Sequence, residues 1–201
     1  METKQQARNY DLIADHWNGN KFNLRNGIEQ HKRALCFVKN GQSAIDIGCG
    51  SSGRFIELLL ENGFDTEGLD FSKEMLKLAK QRHPTLTFYY ADICVWDFPK
   101  SYDFISAWDS VWHAPLDQQE SILRKLCGAL NPGGVLIYTT GAVDEMGEGE
   151  NDFLGQALHH AALGTMKTLD IVAASGCACR HLENDDWPNK HLYLIIQRIE
   201  S

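Results

Sequence analysis

The stretch AIDIGCGSSG, residues 44–53, decides the fold of this chain. Its first four residues form a short apolar run, and GCGSSG at residues 48–53 then spells G-x-G-x-x-G ahead of a helical pattern over residues 54–62. This order predicts a strand, a tight turn and a helix N-terminus. Gly48 and Gly50 are expected to let a ligand lie against bare backbone, and Gly53 is expected to let the helix pack near the strand.

Length and composition predict one globular domain over residues 1–201. The chain has 201 residues, 43% of them hydrophobic, and a net charge of −8, so attraction to nucleic acid phosphates is not favoured. No apolar run approaches the roughly 18 residues of a membrane span, and the polar N-terminus has no signal core. The six cysteines form no C-x-x-C pair, which together with the missing signal predicts reduced thiols and a cytoplasmic location.

Apolar strand-like runs alternate with helical patterns after two N-terminal amphipathic helices at residues 7–17 and 28–39. These two helices form a predicted helical cap at residues 5–40. Strands are predicted at residues 43–47, 66–70, 86–92, 103–109 and 134–140, and helices at residues 54–62, 73–82 and 117–130. Such alternation predicts a mostly parallel sheet with helices on both faces.

The final third of the chain departs from this alternation. A helix at residues 168–175 precedes strands at residues 177–183 and 191–199, and the turn between these strands is too short for a parallel crossover. The sheet is therefore expected to end in an antiparallel hairpin. Residues 141–167 form a predicted insertion, rich in acidic residues and without clear structure, of the kind that often serves as a lid.

Asp70 is the strongest candidate for a functional side chain. It ends the second predicted strand 20 residues after Gly50 (70 − 50 = 20), the spacing at which a carboxylate reaches a ribose diol. The alternative is an ordinary acidic residue ahead of Ser72, which is a plausible N-cap for the next helix. The match with the glycine motif favours the ribose contact.

The same architecture serves nicotinamide and S-adenosylmethionine, so other residues must discriminate between these cofactors. Asp46 gives D-x-G-x-G, and a carboxylate there suits a ligand with ammonium and sulfonium charges. Asp92 and Ile93 end the third strand with a carboxylate for an adenine amine and an apolar side chain for the ring. With the terminal hairpin, these features favour S-adenosylmethionine.

At this point the chain resembles the class I S-adenosylmethionine-dependent methyltransferases, from about Tyr10 to the last strand. The similar motifs are D-x-G-x-G at residues 46–50, GLDFS at residues 68–72, ADI at residues 91–93, the fourth-strand region at residues 102–115 and LNPGG at residues 130–134. The resemblance implies a Rossmann-like, seven-stranded sheet of order 3-2-1-4-5-7-6 with strand 7 antiparallel. It also implies that the cofactor lies across the carboxyl ends of strands 1, 2 and 4.

The resemblance carries a set of cofactor-binding candidates. These are Tyr10, Asp46, Gly48, Gly50, Arg54, Asp70, Phe71, Asp92, Ile93 and Trp108. Two of them have an alternative role, since Tyr10 also suits the core face of a helix and Arg54 also suits a solvated first turn.

Methyl transfer from a sulfonium depends mainly on alignment of the reactants, so no catalytic residue is compulsory. His113 and Asp109 are candidates for a base, although His113 also suits a structural role bonded to backbone. His159 and His160 are interpreted as solvated lid residues, because adjacent histidines on a helix diverge by about 100°. No metal site is predicted.

The acceptor is predicted to be a small molecule. Residues 103–113 lack the N/D-P-P-Y/F pattern typical of enzymes of this family that methylate amino groups of nucleic acids, and the net charge is acidic. Two alternatives to a small-molecule methyltransferase remain, a non-catalytic S-adenosylmethionine-binding protein and a nicotinamide-dependent oxidoreductase. The sequence identifies neither the acceptor nor the oligomeric state.

Overall fold

The computed structural model describes residues 3–18 and 22–200, so residues 19–21 of the predicted cap and the ends of the predicted domain lie outside the described residues. The strands are β1 Ser43–Ile47, β2 Asp65–Asp70, β3 Phe88–Tyr90, β4 Tyr102–Ala107, β5 Leu130–Gly141, β6 Gly147–Phe153, β7 Gln156–Ala162, β8 Cys177–Asn184 and β9 His191–Arg198. The helices are α1 Thr3–Asn18, α2 Ile28–Leu35, α3 Arg54–Glu61, α4 Lys73–Arg82, α5 Leu116–Gly128 and α6 Thr165–Ala174, with a 3₁₀ turn at Val111–His113.

The main sheet of the described residues has seven strands in the order β3-β2-β1-β4-β5-β9-β8. Pairing is parallel from β3 to β5, and β9 runs antiparallel to both β5 and β8. Because β6 and β7 form a separate hairpin, β8 and β9 are the sixth and seventh strands of the sheet. The predicted order 3-2-1-4-5-7-6 with an antiparallel last strand is confirmed.

The sheet is buried on both faces, which explains its near-continuous apolar strands. One face carries Ile45, Ile105 and Leu136 against the apolar sides of α5 and α6. The other carries Phe104 and Ile137 against α2 and α3. Helices on both sides are therefore confirmed, and the carboxyl ends of the parallel strands meet at one edge of the sheet.

Ser72 caps the N-terminus of α4, as predicted. The Ser72 hydroxyl accepts a hydrogen bond from the Met75 amide. The predicted helix at residues 28–39 is shorter, because α2 ends at Leu35 and the chain continues to Val38 in tighter turns with i to i+3 hydrogen bonds. The third strand covers only Phe88–Tyr90.

The segment at residues 141–167 does have regular structure, so the expectation of a connection without it is wrong. It forms the β6–β7 hairpin, whose two-residue turn consists of Leu154 and Gly155. The largely exposed acidic strand β6 lacks the apolar alternation that would have revealed it. His159 and His160 lie on β7, where successive side chains point to opposite faces: His159 is buried and His160 is exposed. The helical interpretation of this pair is wrong, and the solvated interpretation is wrong for His159 only.

None of the helices formed by residues 3–18 and 22–200 is long and apolar enough to cross a bilayer. The six cysteines are free thiols in the described structure, three of them buried.

Candidate functional site

A cavity of about 960 Å³ opens at the carboxyl ends of β1, β2 and β4. Helix α1, the 3₁₀ turn and the β6–β7 hairpin complete its walls. The sequence-predicted residues that line it are Tyr10, Gly48, Gly50, Arg54, Asp70, Phe71, Asp92, Ile93, Trp108, Asp109 and His113. Asp46 is not among the lining residues.

The turn after β1 gives the cavity a floor of bare backbone. Gly50 has a φ of +57°, and a Cβ atom built there would meet no heavy atom within 4 Å, so this backbone faces open space. Gly48 serves a different purpose from the one predicted, because a Cβ there would lie 2.3 Å from the Ser110 Cβ. At Gly53 a Cβ would meet Arg82 near the end of α4, rather than the strand. Of these three glycines, Gly50 is therefore the one whose backbone leaves room for a ligand.

Asp70 joins the glycine turn to the end of β2. One of its oxygens, Oδ2, accepts a hydrogen bond from the Gly50 amide at 2.8 Å, and Oδ1 accepts one from the Ser72 amide at 2.8 Å. Burial raises the pKa of Asp70, and these backbone donors oppose that rise. A carboxylate has about four acceptor sites, and the Ser72, Gly50 and Phe71 amides occupy up to three of them, so one lone pair remains for a ligand hydroxyl.

The end of β3 adds an apolar slot with one carboxylate. The Phe71 and Tyr90 rings stack with centroids 5.8 Å apart. Asp92 accepts a hydrogen bond from the Cys94 amide at 2.9 Å, which fixes the turn that presents Ile93 to the cavity. A flat ring and its exocyclic amine fit this combination.

Asp46 lies behind the glycine turn, where its side chain receives a hydrogen bond from Ser106. Burial raises its pKa to about 6, while the Ser106 bond and the charge of Arg54 lower it. Arg54 itself faces the cavity, donates to the Ser52 hydroxyl at 2.9 Å and stacks over the Phe55 ring at 4.1 Å. Asp46 therefore interacts electrostatically with Arg54 and Asp70, two residues that do line the cavity.

Hydrogen bonds to the start of α4 and to β7 fix helix α1 over the cavity. Asp11 accepts from the Ser72 hydroxyl at 2.6 Å and from the Glu74 amide at 3.1 Å, which ties α1 to the start of α4. The Asn9 amide donates to the Ala157 carbonyl of β7 at 2.6 Å. These contacts keep Tyr10 on the cavity wall.

His113 is a half-buried imidazole with both nitrogens engaged. The Trp112 indole can only donate, so Nε2 is the acceptor and Nδ1 carries the proton. Nδ1 donates to the His159 carbonyl at 2.6 Å and also lies 3.1 Å from the Gln6 side-chain nitrogen. Its Nε2 then accepts from the Tyr10 hydroxyl at 2.6 Å and from the Trp112 indole at 3.0 Å. Burial lowers the pKa of His113 to about 4. A neutral imidazole with an occupied lone pair orients Tyr10 and is poorly placed to act as a base.

Sequence reasoning found Asp109 but missed its partner His191 and the second partner of His191, Asp185. The His191 ring donates from Nε2 to Asp109 at 2.9 Å and from Nδ1 to Asp185 at 2.5 Å. Gln30 donates to the other Asp185 oxygen. These residues come from distant parts of the chain, so no local spacing could have grouped them. Trp17 and Phe153, which also line the cavity, were missed for the same reason, whereas Glu145 and Glu148 of the lining belong to the predicted insertion.

The residues present fit S-adenosylmethionine on the geometry of the cavity alone. Gly50 offers open space against bare backbone, and the buried indole Nε1 of Trp108 and hydroxyl of Ser110 have no hydrogen-bond partner among the described residues. Both side chains line the cavity, so a polar ligand would satisfy them. Across residues 3–18 and 22–200, no group of three or more metal-ligating side chains is placed to hold an ion.

Comparisons with known proteins agree with this geometry. A family model described as a methyltransferase domain matches residues 44–134. A trans-aconitate 2-methyltransferase of Methylobacterium radiotolerans is 39% identical over 95 residues, which are 46% of this chain and 35% of that protein. Phosphoethanolamine N-methyltransferase 2 of Caenorhabditis elegans is 30% identical over 107 residues, 50% of this chain and 24% of that protein. The chain thus spans well under half the length of these two relatives.

Solved structures match over nearly the whole chain. Magnesium protoporphyrin IX methyltransferase from Synechocystis with bound S-adenosylmethionine superposes with a TM-score of 0.71 at 17% identity, covering 98% of both chains. The sugar N-methyltransferase KedS8 from Streptoalloteichus gives a TM-score of 0.69 at 17% identity, covering 95% of this chain and 93% of that chain. At these identities the likeness shows the fold. Residues 44–134 thus match a methyltransferase domain, and the described residues have the fold of these solved methyltransferases.

Proposed function

We propose that this protein is an S-adenosylmethionine-dependent methyltransferase acting on a small molecule by direct displacement. The observation that carries the proposal is the pairing of Asp70 with the Gly50 amide at 2.8 Å, on a backbone floor that faces open space. This pairing sets a carboxylate beside the turn where the family binds its cofactor. The named relatives, which are methyltransferases, support the same activity.

Each part of the cavity wall has a proposed role toward the cofactor. Asp70 accepts hydrogen bonds from the ribose hydroxyls, Asp92 accepts one from the adenine amine, and Phe71 and Ile93 pack on the adenine ring. Arg54 pairs with the methionine carboxylate, and Tyr10 and Trp108 cover the methionine end. Asp46 contributes by stabilising the Arg54 charge from behind the turn.

The bound cofactor supplies a methyl group on a positively charged sulfur, already activated for transfer. The chain's own residues have to hold the acceptor in line and exclude water, which can contribute on the order of 7–11 kcal/mol. Helix α1 and the β6–β7 hairpin enclose the cavity, and we propose that residues 141–167 act as a lid. The size of the cavity, about 960 Å³, suits a cofactor together with a small acceptor.

The remaining sequence expectations stay proposals. A cytoplasmic location and an acceptor other than nucleic acid are predictions from cysteine usage and charge. The two alternative functions, a non-catalytic cofactor-binding protein and a nicotinamide oxidoreductase, have no observation here that favours them.

Calorimetric titration with S-adenosylmethionine, S-adenosylhomocysteine and NADH tests the proposal. We expect the first two ligands to bind and NADH to give no heat of binding. Binding of NADH alone would contradict the assignment. Tight binding of S-adenosylmethionine with no methyl transfer to any acceptor would instead support the non-catalytic alternative.

A further inference from the structure

The unusual backbone of Asp109 points to a role for its side chain. Asp109 follows β4 and has a φ of +51°. Among the described non-glycine residues, only Asp109 and Leu154 have a positive φ. Its amide donates to the Thr139 hydroxyl at 2.7 Å and its Oδ1 accepts from His191 at 2.9 Å. Such a conformation persists only where its surroundings hold it, and it concentrates at functional sites.

The hydrogen-bond partner of Asp109, His191, carries a positive charge. Burial alone would lower the pKa of His191, but its hydrogen bonds to Asp109 and Asp185 outweigh burial and raise that pKa to about 9. His191 is therefore an imidazolium at neutral pH. Two carboxylates around one imidazolium leave the Asp109–His191–Asp185 group with a net charge of −1.

Asp109 is the member of this group that faces the cavity. The other two are absent from its lining. The Asp109 side chain remains 30% exposed, and its Oδ2 makes no hydrogen bond with residues 3–18 or 22–200. One carboxylate oxygen is thus held by the protein while the other is open to a ligand.

The neighbouring wall repeats this charge pattern. Glu145 and Glu148 of the hairpin segment line the cavity with Asp109. The basic side chains of the lining include Lys190, His160 and Arg54, and the Arg54 charge, which we assign to the methionine carboxylate, also interacts with Asp109. The same cavity is lined by the aromatic side chains of Tyr10, Trp17, Trp112 and Phe153. Carboxylates beside aromatic faces attract cations and repel anions.

Resting on the proposed function, we propose that the methyl acceptor is an amine and that Asp109 Oδ2 accepts a hydrogen bond from its nitrogen. An acceptor arriving as an ammonium ion releases one proton to the Asp109 carboxylate. The nitrogen lone pair then forms the bond to the methyl carbon as the carbon–sulfur bond breaks, with its electron pair going to sulfur. Polycarboxylate acceptors are disfavoured by the same wall.

The first test is a turnover panel with methyl-labelled S-adenosylmethionine. It compares matched amines, alcohols and carboxylates, including ethanolamine with ethylene glycol, glucosamine with glucose, and trans-aconitate. We expect amines to be methylated and their matched alcohols and trans-aconitate not to be. Preference for an alcohol or a carboxylate, or no turnover with any class, overturns the inference.

The second test uses Asp109→Asn on whichever amine is methylated best. Asparagine tolerates positive φ, so the substitution removes the charge and keeps the backbone. We expect KM for the amine to rise about tenfold or more, since hydrogen bonds to charged groups are of that strength, with the dissociation constant of S-adenosylhomocysteine unchanged. Asp144→Asn, at an exposed position outside the lining, is the control. An unchanged KM in Asp109→Asn overturns the inference.

Cofactor binding separates the two proposals. If the wild-type protein binds S-adenosylmethionine and the amine preference is absent, the acceptor inference fails and the proposed function stands. If S-adenosylmethionine does not bind, the proposed function itself fails.

Discussion

The cavity wall at the ends of β1 to β3 comes from short, consecutive stretches of chain, whereas the wall around Asp109 is assembled from distant ones. In the first wall, Gly50 and Asp70 are 20 residues apart and meet in one hydrogen bond. In the second, Asp109 and His191 are 82 residues apart. The first wall can therefore be predicted from local sequence spacing, whereas the second forms only in the folded chain.

Among variants of the two walls, we expect Asp70→Ala to cause the largest loss of cofactor affinity. Removing this carboxylate deletes the proposed ribose contacts and frees the Gly50 amide. We expect S-adenosylhomocysteine to bind about 10- to 100-fold more weakly, from hydrogen bonds to a charged group of about 1.5–3 kcal/mol. Calorimetry measures the change, with Asp65→Ala at the exposed start of β2 as the control. Equal affinity in Asp70→Ala and the wild type would remove Asp70 from the site.

Gly50→Ala tests whether the open backbone floor serves the cofactor. Gly63→Ala is its matched control, since both glycines have positive φ, +57° and +83°, and neither Cβ would meet an atom within 4 Å. Both variants should lose about 1–2 kcal/mol of unfolding free energy, because alanine disfavours this conformation. Only Gly50→Ala should also bind S-adenosylhomocysteine several-fold more weakly. A loss of affinity in both variants would attribute the effect to stability.

The contrast between the two walls also explains what the sequence could predict. The turn at residues 48–53 and the Ser72 cap are local, because their geometry depends on residues a few positions apart. Strand alternation and the short connection before His191 predicted a mostly parallel sheet that ends in an antiparallel hairpin, whereas the strand order was implied by the resemblance to methyltransferases. The ion pairs of His191 required the completed fold, which brings the start of β9 beside the end of β4. The hairpin was hidden because its first strand is exposed and charged.

His191→Gln tests the charge of the second wall through pH. The pKa of His191 is raised from 6.5 to about 9 in the folded protein, so protonation of His191 stabilises the fold. This contribution is fully present below pH 6.5 and is lost as pH rises through about 9. Its size is on the order of 2–3 kcal/mol for a side chain that is 16% exposed.

We therefore expect the stability advantage of the wild type over His191→Gln to shrink between pH 6.5 and 9. Denaturant unfolding at half-unit pH intervals measures it. His160→Gln, at an exposed histidine of the hairpin, should follow the wild-type curve. Parallel curves for His191→Gln and the wild type would mean that His191 is neutral, and the charge of the Asp109 group would then have to be revised.

The smallest effect is expected from Leu154→Asn in the hairpin turn. Leu154 and Gly155 both have positive φ, +55° and +77°, the pattern of a type I′ turn, which prefers Asn-Gly. Because Leu154 is 55% exposed, asparagine should relieve backbone strain with little loss of burial and stabilise the hairpin by about 1 kcal/mol. Leu12→Asn, at a 72% exposed leucine inside α1, should instead destabilise through helix propensity.

Two measurements on Leu154→Asn together distinguish whether the hairpin opens alone or unfolds with the sheet. If β6–β7 unfolds together with the sheet, Leu154→Asn should raise the midpoint of global unfolding. If the hairpin opens alone, as a lid must, hydrogen exchange should slow at β6 and β7 amides while the global midpoint stays the same. Faster exchange, or a loss of global stability, would mean that the Leu154 side chain makes a packing contribution that its exposure does not reveal.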